Sequence, residues 1–291
     1  MDIQSRREFI KLAGVGAAAS ALPVTAGQAE AMRLMPAGRD KVEARRNAQG
    51  RLKLGLASYT CRNLSLEKTL AACKQVGLKY ICFKDMHLPL TASQAEIQET
   101  LKKVKSAGLR LYGGGVIYMR DESKVKDGFA YAQAAGMDTI VGVADPPLLP
   151  LVERMVKQYN IRFAIHNHGP GDKTYPTPES AYVKVKNFDK RIGLCMDIGH
   201  TQRVGADPSQ SAEKFADRLH DIHIKDVSEA SAKGHCVEMG RGVIDIPRFL
   251  KTLLKINYAG IVSYEYEKDA NDPIPGLAES VGYTRGVLTV I

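Results

Sequence analysis

From residue 52 onward, short apolar runs alternate with longer segments whose apolar positions recur every three to four residues. The short runs are the pattern of buried strands, and the longer period is that of helices with one buried face. Strands are predicted at 53–59, 80–83, 110–118, 139–143, 162–166, 192–197, 220–224 and 260–265. Helices are predicted at 65–76, 92–107, 122–135, 147–159, 178–187, 209–219 and 246–256, with a weaker last helix or tail at 276–290. Gly77, Gly108 and Gly136 stand where left-handed helix caps belong. Eight strands in strict alternation with helices predict a single-domain α/β fold, a (β/α)8 TIM barrel. A doubly wound sheet is the runner-up, but it calls for a glycine-rich phosphate loop after its first strand, and residues 54–61 hold none. The run Gly113-Gly114-Gly115 lies inside the third strand, where it signals close backbone packing.

The first 51 residues do not join this alternation. Residues 5–11 read SRREFIK and resemble the twin-arginine export signal, and an uncharged run rich in Ala and Gly follows from Leu12 to Thr25. That run is too short and too weakly apolar to span a bilayer stably. The chain therefore divides into a signal peptide at 1–29, a linker at 30–51 and the barrel at 52–291. The resemblance implies the twin-arginine export machinery as a partner, and a mature protein that works in the periplasm with no stable membrane span.

Composition adds exclusions. Lys and Arg number 41 against 32 Asp and Glu, a net charge of +9. The lysines are scattered along helices, such as Lys102, Lys103 and Lys105, without a basic cluster interleaved with aromatics, so no nucleic-acid partner is expected. The five cysteines form no CxxC pair and read as core thiols, not as a disulfide framework. Oligomeric state leaves no signal in the sequence.

Candidate chemistry lies at the strand ends. The fifth run ends in His166 and His168, the sixth in Asp197 with His200 just beyond, the seventh in His223, and the eighth in Glu265 and Glu267. Lys84 and His87 follow the second run. Active-site groups of a TIM barrel sit at the carboxyl ends of its strands, so this clustering points to one site. Imidazoles and carboxylates together suit Mn2+, Fe2+, Co2+ or Zn2+ better than Mg2+ or Ca2+, which prefer oxygen. Period-two alternation puts His166 and His168 on one side of their strand, and either is a candidate ligand.

The segments HNHG (166–169), MDIGH (196–200), DIHIKD (221–226), GRGVID (240–245) and YEYE (264–267) resemble the xylose-isomerase-like TIM-barrel family of sugar isomerases, epimerases and inosose dehydratases. The likeness runs from residue 53 to the end of the chain. It implies a divalent ion, Mn2+ foremost, held by a Glu on strand five, an Asp on strand six, a His on strand seven and a Glu on strand eight. Asp197, His223 and Glu265 match the last three, whereas His166 stands where the family carries the first glutamate. A histidine bound to a metal has committed its basic lone pair and is a poor general base. Two-sided epimerisation by paired glutamates is thereby weakened, and one-face proton transfer or β-elimination gains.

The shared step is abstraction of a proton α to a carbonyl, with the ion stabilising the developing enolate. Glu265 is the candidate base, and His168 and His200 are placed to meet substrate hydroxyls. Lys84, His87 and His168 are candidate acids for a leaving oxygen, and Arg241 is a candidate grip on a substrate oxygen. Lys225 and Asp226 read as a structural pair, and Tyr264 and Tyr266 as packing. The leading expectation is a metal-dependent isomerase or epimerase acting on a sugar or keto sugar. The second is a lyase or dehydratase performing β-elimination on a 3-keto-glycoside or keto sugar. DNA repair, known for abasic-site endonucleases of the same fold, needs more ligands than are found here, and a non-catalytic sugar-binding barrel is the remaining alternative.

Overall fold

The computed structural model describes residues 52–291. The expected export signal and the linker before the barrel lie outside the described residues. Eight strands close into a parallel barrel: β1 (Lys53–Ala57), β2 (Tyr80–Phe83), β3 (Arg110–Met119), β4 (Thr139–Ala144), β5 (Arg162–His166), β6 (Ile192–Asp197), β7 (Leu219–Ile224) and, after a short antiparallel ribbon of β8 (Asp226–Val227) and β9 (Cys236–Val237), β10 (Ile261–Tyr264). β1 pairs with both β2 and β10, so no edge is left open. The chain forms a (β/α)8 TIM barrel, as the alternation predicts.

Helices α1 (Leu66–Gln75), α2 (Gln94–Ser106), α3 (Glu122–Ala134), α4 (Leu149–Tyr159), α5 (Pro178–Val185), α6 (Ile198–Arg203), α7 (Pro208–Lys214), α8 (Ile246–Lys255) and α9 (Ile274–Leu288) follow the strands. Their starts are written in the sequence. Ser65, Ser93, Asp121, Thr177, Asp207 and Asp245 each accept a backbone N–H of the first turn, which satisfies donors the helix itself cannot. Gly77, Gly108 and Gly136 follow α1, α2 and α3 with φ of 70°, 72° and 63°, the left-handed caps expected. The 209–219 helix ends at Lys214, and a separate 3-10 turn covers Ala216–Arg218.

The glycine triplet of β3 permits close approach to β4. A Cβ at Gly113 would lie 2.8 Å from the Thr139 carbonyl oxygen, and one at Gly115 would overlap that of Val141, at 2.1 Å. Cys61, Cys73, Cys82 and Cys195 are buried, Cys236 is half-buried, and all five are free thiols. Among the described residues, no helix is long and apolar enough to cross a membrane.

Candidate metal centre

β5, β6 and β7 are neighbours, and their register carries the site. His166 pairs with Cys195 across β5 and β6, and Asp197 pairs with His223 across β6 and β7. Glu265 follows β10 and is tied to β7 by its N–H, which donates to the Ile224 carbonyl. One ligand atom from each of His166, Asp197, His223 and Glu265 lies within 4.8 Å of the others. His166 Nε2 is 3.1 Å from His223 Nδ1, 3.6 Å from Asp197 Oδ2 and 3.7 Å from Glu265 Oε2, and His223 Nδ1 is 3.2 Å from Glu265 Oε1. Two nitrogens and two carboxylates bound to one ion at 2.0–2.2 Å would stand roughly 3.4 Å apart. The four groups therefore fit a divalent ion, and their mixed N/O character suits a transition metal.

The local sequence explains why Asp197 faces the centre with one oxygen only. Its Oδ1 accepts the His200 N–H at 2.7 Å and caps α6, while its own N–H donates to Asn167 Oδ1 at 3.0 Å. Oδ2 is left free of backbone donors and faces the centre. Its closest charge is Lys225, whose Nζ lies 2.9 Å from Asp197 Oδ2 and 2.8 Å from Glu265 Oε2 and also meets Glu267. The Lys225 stem passes over α6 so closely that a Cβ at Gly199 would sit 2.4 Å from its Cγ. Glycine in MDIGH is thus a consequence of the lysine in DIHIKD.

These contacts set the charge states. Burial opposes ionisation of Glu265, but His223 and Lys225 outweigh it and hold the carboxyl well below the usual range. Asp197 is likewise lowered, by His200 and Lys225 against its burial. Burial alone would lower His166, but Asp197 and Glu265 push it up to about 9. His168 and His200 are pushed down to about 4, chiefly by burial, so both rings are neutral at pH 7.

A cavity of about 280 Å³ opens over this centre, lined by His166, His168, His200, Glu265 and Glu267, with Tyr59, Lys84, Val116 and Tyr118 at its side. A cavity of similar size at the other end of the barrel, lined by Leu54, Lys79 and Arg285 among others, holds neither imidazole nor carboxylate. His166 joins the four-group cluster, whereas His168 turns to the cavity, where its Nε2 is 3.0 Å from the Tyr118 hydroxyl. Lys84 also reaches it, with Nζ donating to the Val116 carbonyl at 2.9 Å.

Three expectations are corrected. His87 does not reach the cavity: its Nδ1 is 2.9 Å from Ser58 Oγ, and its Nε2 is 3.0 Å from Thr69 Oγ1 and 3.1 Å from the Leu64 carbonyl. Both ring nitrogens are thus engaged in tying β1, α1 and β2 together. Arg241 makes a two-pronged ion pair with Glu279 of α9 on the surface, at 2.6 and 2.8 Å, and lies away from the centre. Lys225 and Asp226 are not a pair. Lys225 faces the carboxylates, whereas Asp226 accepts the N–H groups of Gly240, Gly242 and Ile244 and so folds the GRGVID loop. Tyr264 is packing as expected, buried at 1% exposure, and Tyr266 donates to Glu238 at 2.8 Å.

Two residues that contact the cluster are not predicted from the sequence. Lys225 is one, and Asp221 is the other. Asp221 is buried beneath His223, its Oδ2 3.9 Å from His223 Nε2, and it accepts the Tyr112 hydroxyl. Period-two alternation along DIHIKD places Asp221, His223 and Lys225 on one face. That signal was present in the sequence.

A family model described as a xylose isomerase-like TIM barrel matches residues 148–287. The rhizopine catabolism protein MocC of Rhizobium meliloti is 28% identical over 151 residues, which cover 47% of this chain and 46% of that protein. The match thus spans about half the length of this curated relative. Among solved structures, the IOLI protein, determined with a bound zinc atom, superposes with a TM-score of 0.70 at 19% identity over 81% of this chain and 98% of that one. An L-ribulose 3-epimerase superposes with a TM-score of 0.67 at 16% identity, covering 81% of this chain and 94% of that one.

Proposed function

We propose that the chain is a xylose isomerase-like enzyme that uses a divalent ion, Mn2+ foremost, to remove a proton α to a carbonyl of a sugar or keto sugar, as an isomerase or epimerase. The export pattern at its start extends the proposal to a periplasmic enzyme. The supporting observation is the juxtaposition of the four-group cluster with a cavity walled by Glu265, His168 and His200. The zinc atom in the IOLI protein and the name of the epimerase relative agree with it.

His166, Asp197, His223 and Glu265 would hold the ion. Bound there, a divalent ion would polarise a carbonyl and make the neighbouring C–H more acidic. The rest of the chemistry belongs to the chain. Glu265 is kept ionised by Lys225 and His223, so it is available to accept the proton over the whole working pH range. The same contacts make it a weak base, so it acts only on a C–H already acidified. Neutral His200, whose Nδ1 accepts from Arg203, offers substrate hydroxyls the N–H at Nε2, and neutral His168 lines the same cavity. Lys84 carries a positive tip at the cavity side.

His166 favours a second reading, β-elimination from a 3-keto-glycoside. With that imidazole in the ligand cluster, Glu265 is left without a matching glutamate across the site, and the Lys84 ammonium at the cavity side, not the neutral His168 ring, is the acid available to a leaving oxygen. Incubating the metal-loaded protein in D2O with a free ketose and with a 3-keto-glucoside separates the readings. Deuterium at the α carbon of intact sugar supports the isomerase, and release of aglycone with an enone sugar supports the lyase. Absence of both from both substrates would sink the proposed chemistry.

Ion affinity is expected to depend on pH. With its pKa near 9, the His166 ring must lose a proton before it can ligate. Affinity should rise about tenfold per unit from pH 7 to about 9 and then level off, which calorimetry in buffers of different ionisation heat detects as one released proton. By the same linkage the raised His166 pKa stabilises the ion-free fold fully below its ordinary value of 6.5, and this contribution fades as pH rises through about 9.

A further inference from the structure

A second cavity, of about 310 Å³, adjoins the first, and His200 and Glu267 line both. We infer that it is a subsite for a carboxylate carried by the substrate, so that the sugar derivative handled at the metal centre is an acidic one. The inference rests on the sugar chemistry proposed for the first cavity and narrows its substrate class.

The argument is one of charge. Three cationic side chains, Arg203, Lys225 and Lys268, line the second cavity, and Glu267 is its single carboxylate. With Asp197 and Glu265 turned to a divalent ion, Lys225 is balanced by Glu267. Lys268 is paired with Glu238 at 2.8 Å. Arg203 has no carboxylate partner among the described residues. Its Nη1 lies 3.3 Å from His200 Nδ1, and its Nη2 donates to the Ala232 carbonyl at 2.9 Å. Neither contact cancels its charge, and its Nε is buried with no partner at all.

A half-buried guanidinium without a counter-charge is costly, and a planar anion is its natural complement. One uncompensated positive charge matches a monoanion, a carboxylate, better than a phosphate dianion. Gly234 closes the loop over the arginine stem, since a Cβ there would stand 3.3 Å from Arg203 Cγ. The contact with His200 links the two cavities. A guanidinium N–H at His200 Nδ1 leaves the ring proton on Nε2, which makes His200 a donor through that nitrogen. Arg203 thereby acts as a positioning residue for the first cavity as well as an anchor in the second.

The test is calorimetric binding of D-glucuronate and D-glucose to the metal-loaded full chain, to R203M and to R203K. In the wild-type protein glucuronate should bind about tenfold more tightly than glucose, as expected for a charge-assisted contact, and the advantage should shrink with added salt. R203M should bring the two affinities to within about twofold, and R203K should keep part of the difference. Equal affinities in the wild type, no binding of either sugar, or a glucuronate advantage intact in R203M would overturn the subsite. Deuterium exchange of a neutral keto sugar, followed on the same samples, reads the first cavity separately. Exchange that persists while glucuronate shows no advantage overturns the subsite alone.

Discussion

Replacing Glu265 with glutamine should lower the rate of α-proton exchange by about a thousandfold, within the 10²–10⁴ span typical of a lost general base. The amide keeps the shape of the side chain and an oxygen for the ion, but it cannot accept a proton. Its position argues for a large effect, because Glu265 belongs to the four-group cluster and also lines the cavity. The fold should tolerate the change. Lys225 keeps Asp197 and Glu267 as partners, so no buried cation is stranded. Solvent-deuterium incorporation at saturating ion, measured with thermal unfolding of the same samples, separates loss of the base from loss of structure. A rate within about threefold of wild type would place the base elsewhere, and Glu267, at the same cavity, would be the carboxylate to examine.

Replacing Lys225 with methionine should destabilise the ion-free protein by about 3–5 kcal/mol, the usual cost of stranding one side of a buried ion pair. Lys225 is 3% exposed and Asp197 is fully buried, so water cannot take the place of the ammonium. A divalent ion can take it in part. Removing a positive charge next to Asp197 Oδ2 and Glu265 Oε2 should also tighten ion binding. Added Mn2+ should therefore stabilise K225M more than it stabilises wild type. Urea denaturation with and without Mn2+ reads both effects. If the variant matched wild type in the ion-free state, the ammonium would not be what holds the two carboxylates.

The barrel was legible because its signals are local. Residues 80–83, 162–166 and 192–197 coincide with the observed strands, since a buried strand is a short apolar run bounded by turn residues. Helix caps at Ser65, Ser93 and Thr177 and the glycines after α1 to α3 are equally local. The departures come from contacts that sequence spacing does not carry. The run at 53–59 stops at Ala57 because a 3-10 turn begins at Ser58. Helix α6 leaves no periodic signal of its own, because its start depends on the Asp197 side chain. Half of that carboxylate is a helix cap.

The settings of Arg241 and His87 depend on partners far away in the chain. The partner of Arg241 lies 38 residues away on α9, and those of His87 lie 18 to 29 residues upstream. Lys225 and its sequence neighbour Asp226 point to opposite sides, as neighbours on an extended chain do. The alternation that placed His166 and His168 together would have placed Lys225 with Asp221 and His223. Choosing between His166 and His168 as ligand required three dimensions. Both face the same side, and only the closeness of β7 and β10 to the end of β5 decides which ring meets Asp197, His223 and Glu265.

The central claim is that these four side chains hold one ion and that His166 is among them. Anomalous diffraction from crystals of the full chain grown with Mn2+ tests it most directly. The account predicts one strong manganese peak within bonding distance of His166 Nε2, Asp197 Oδ2, His223 Nδ1 and a Glu265 oxygen. A peak bound by His168 in place of His166, or no peak among these four residues, would contradict it.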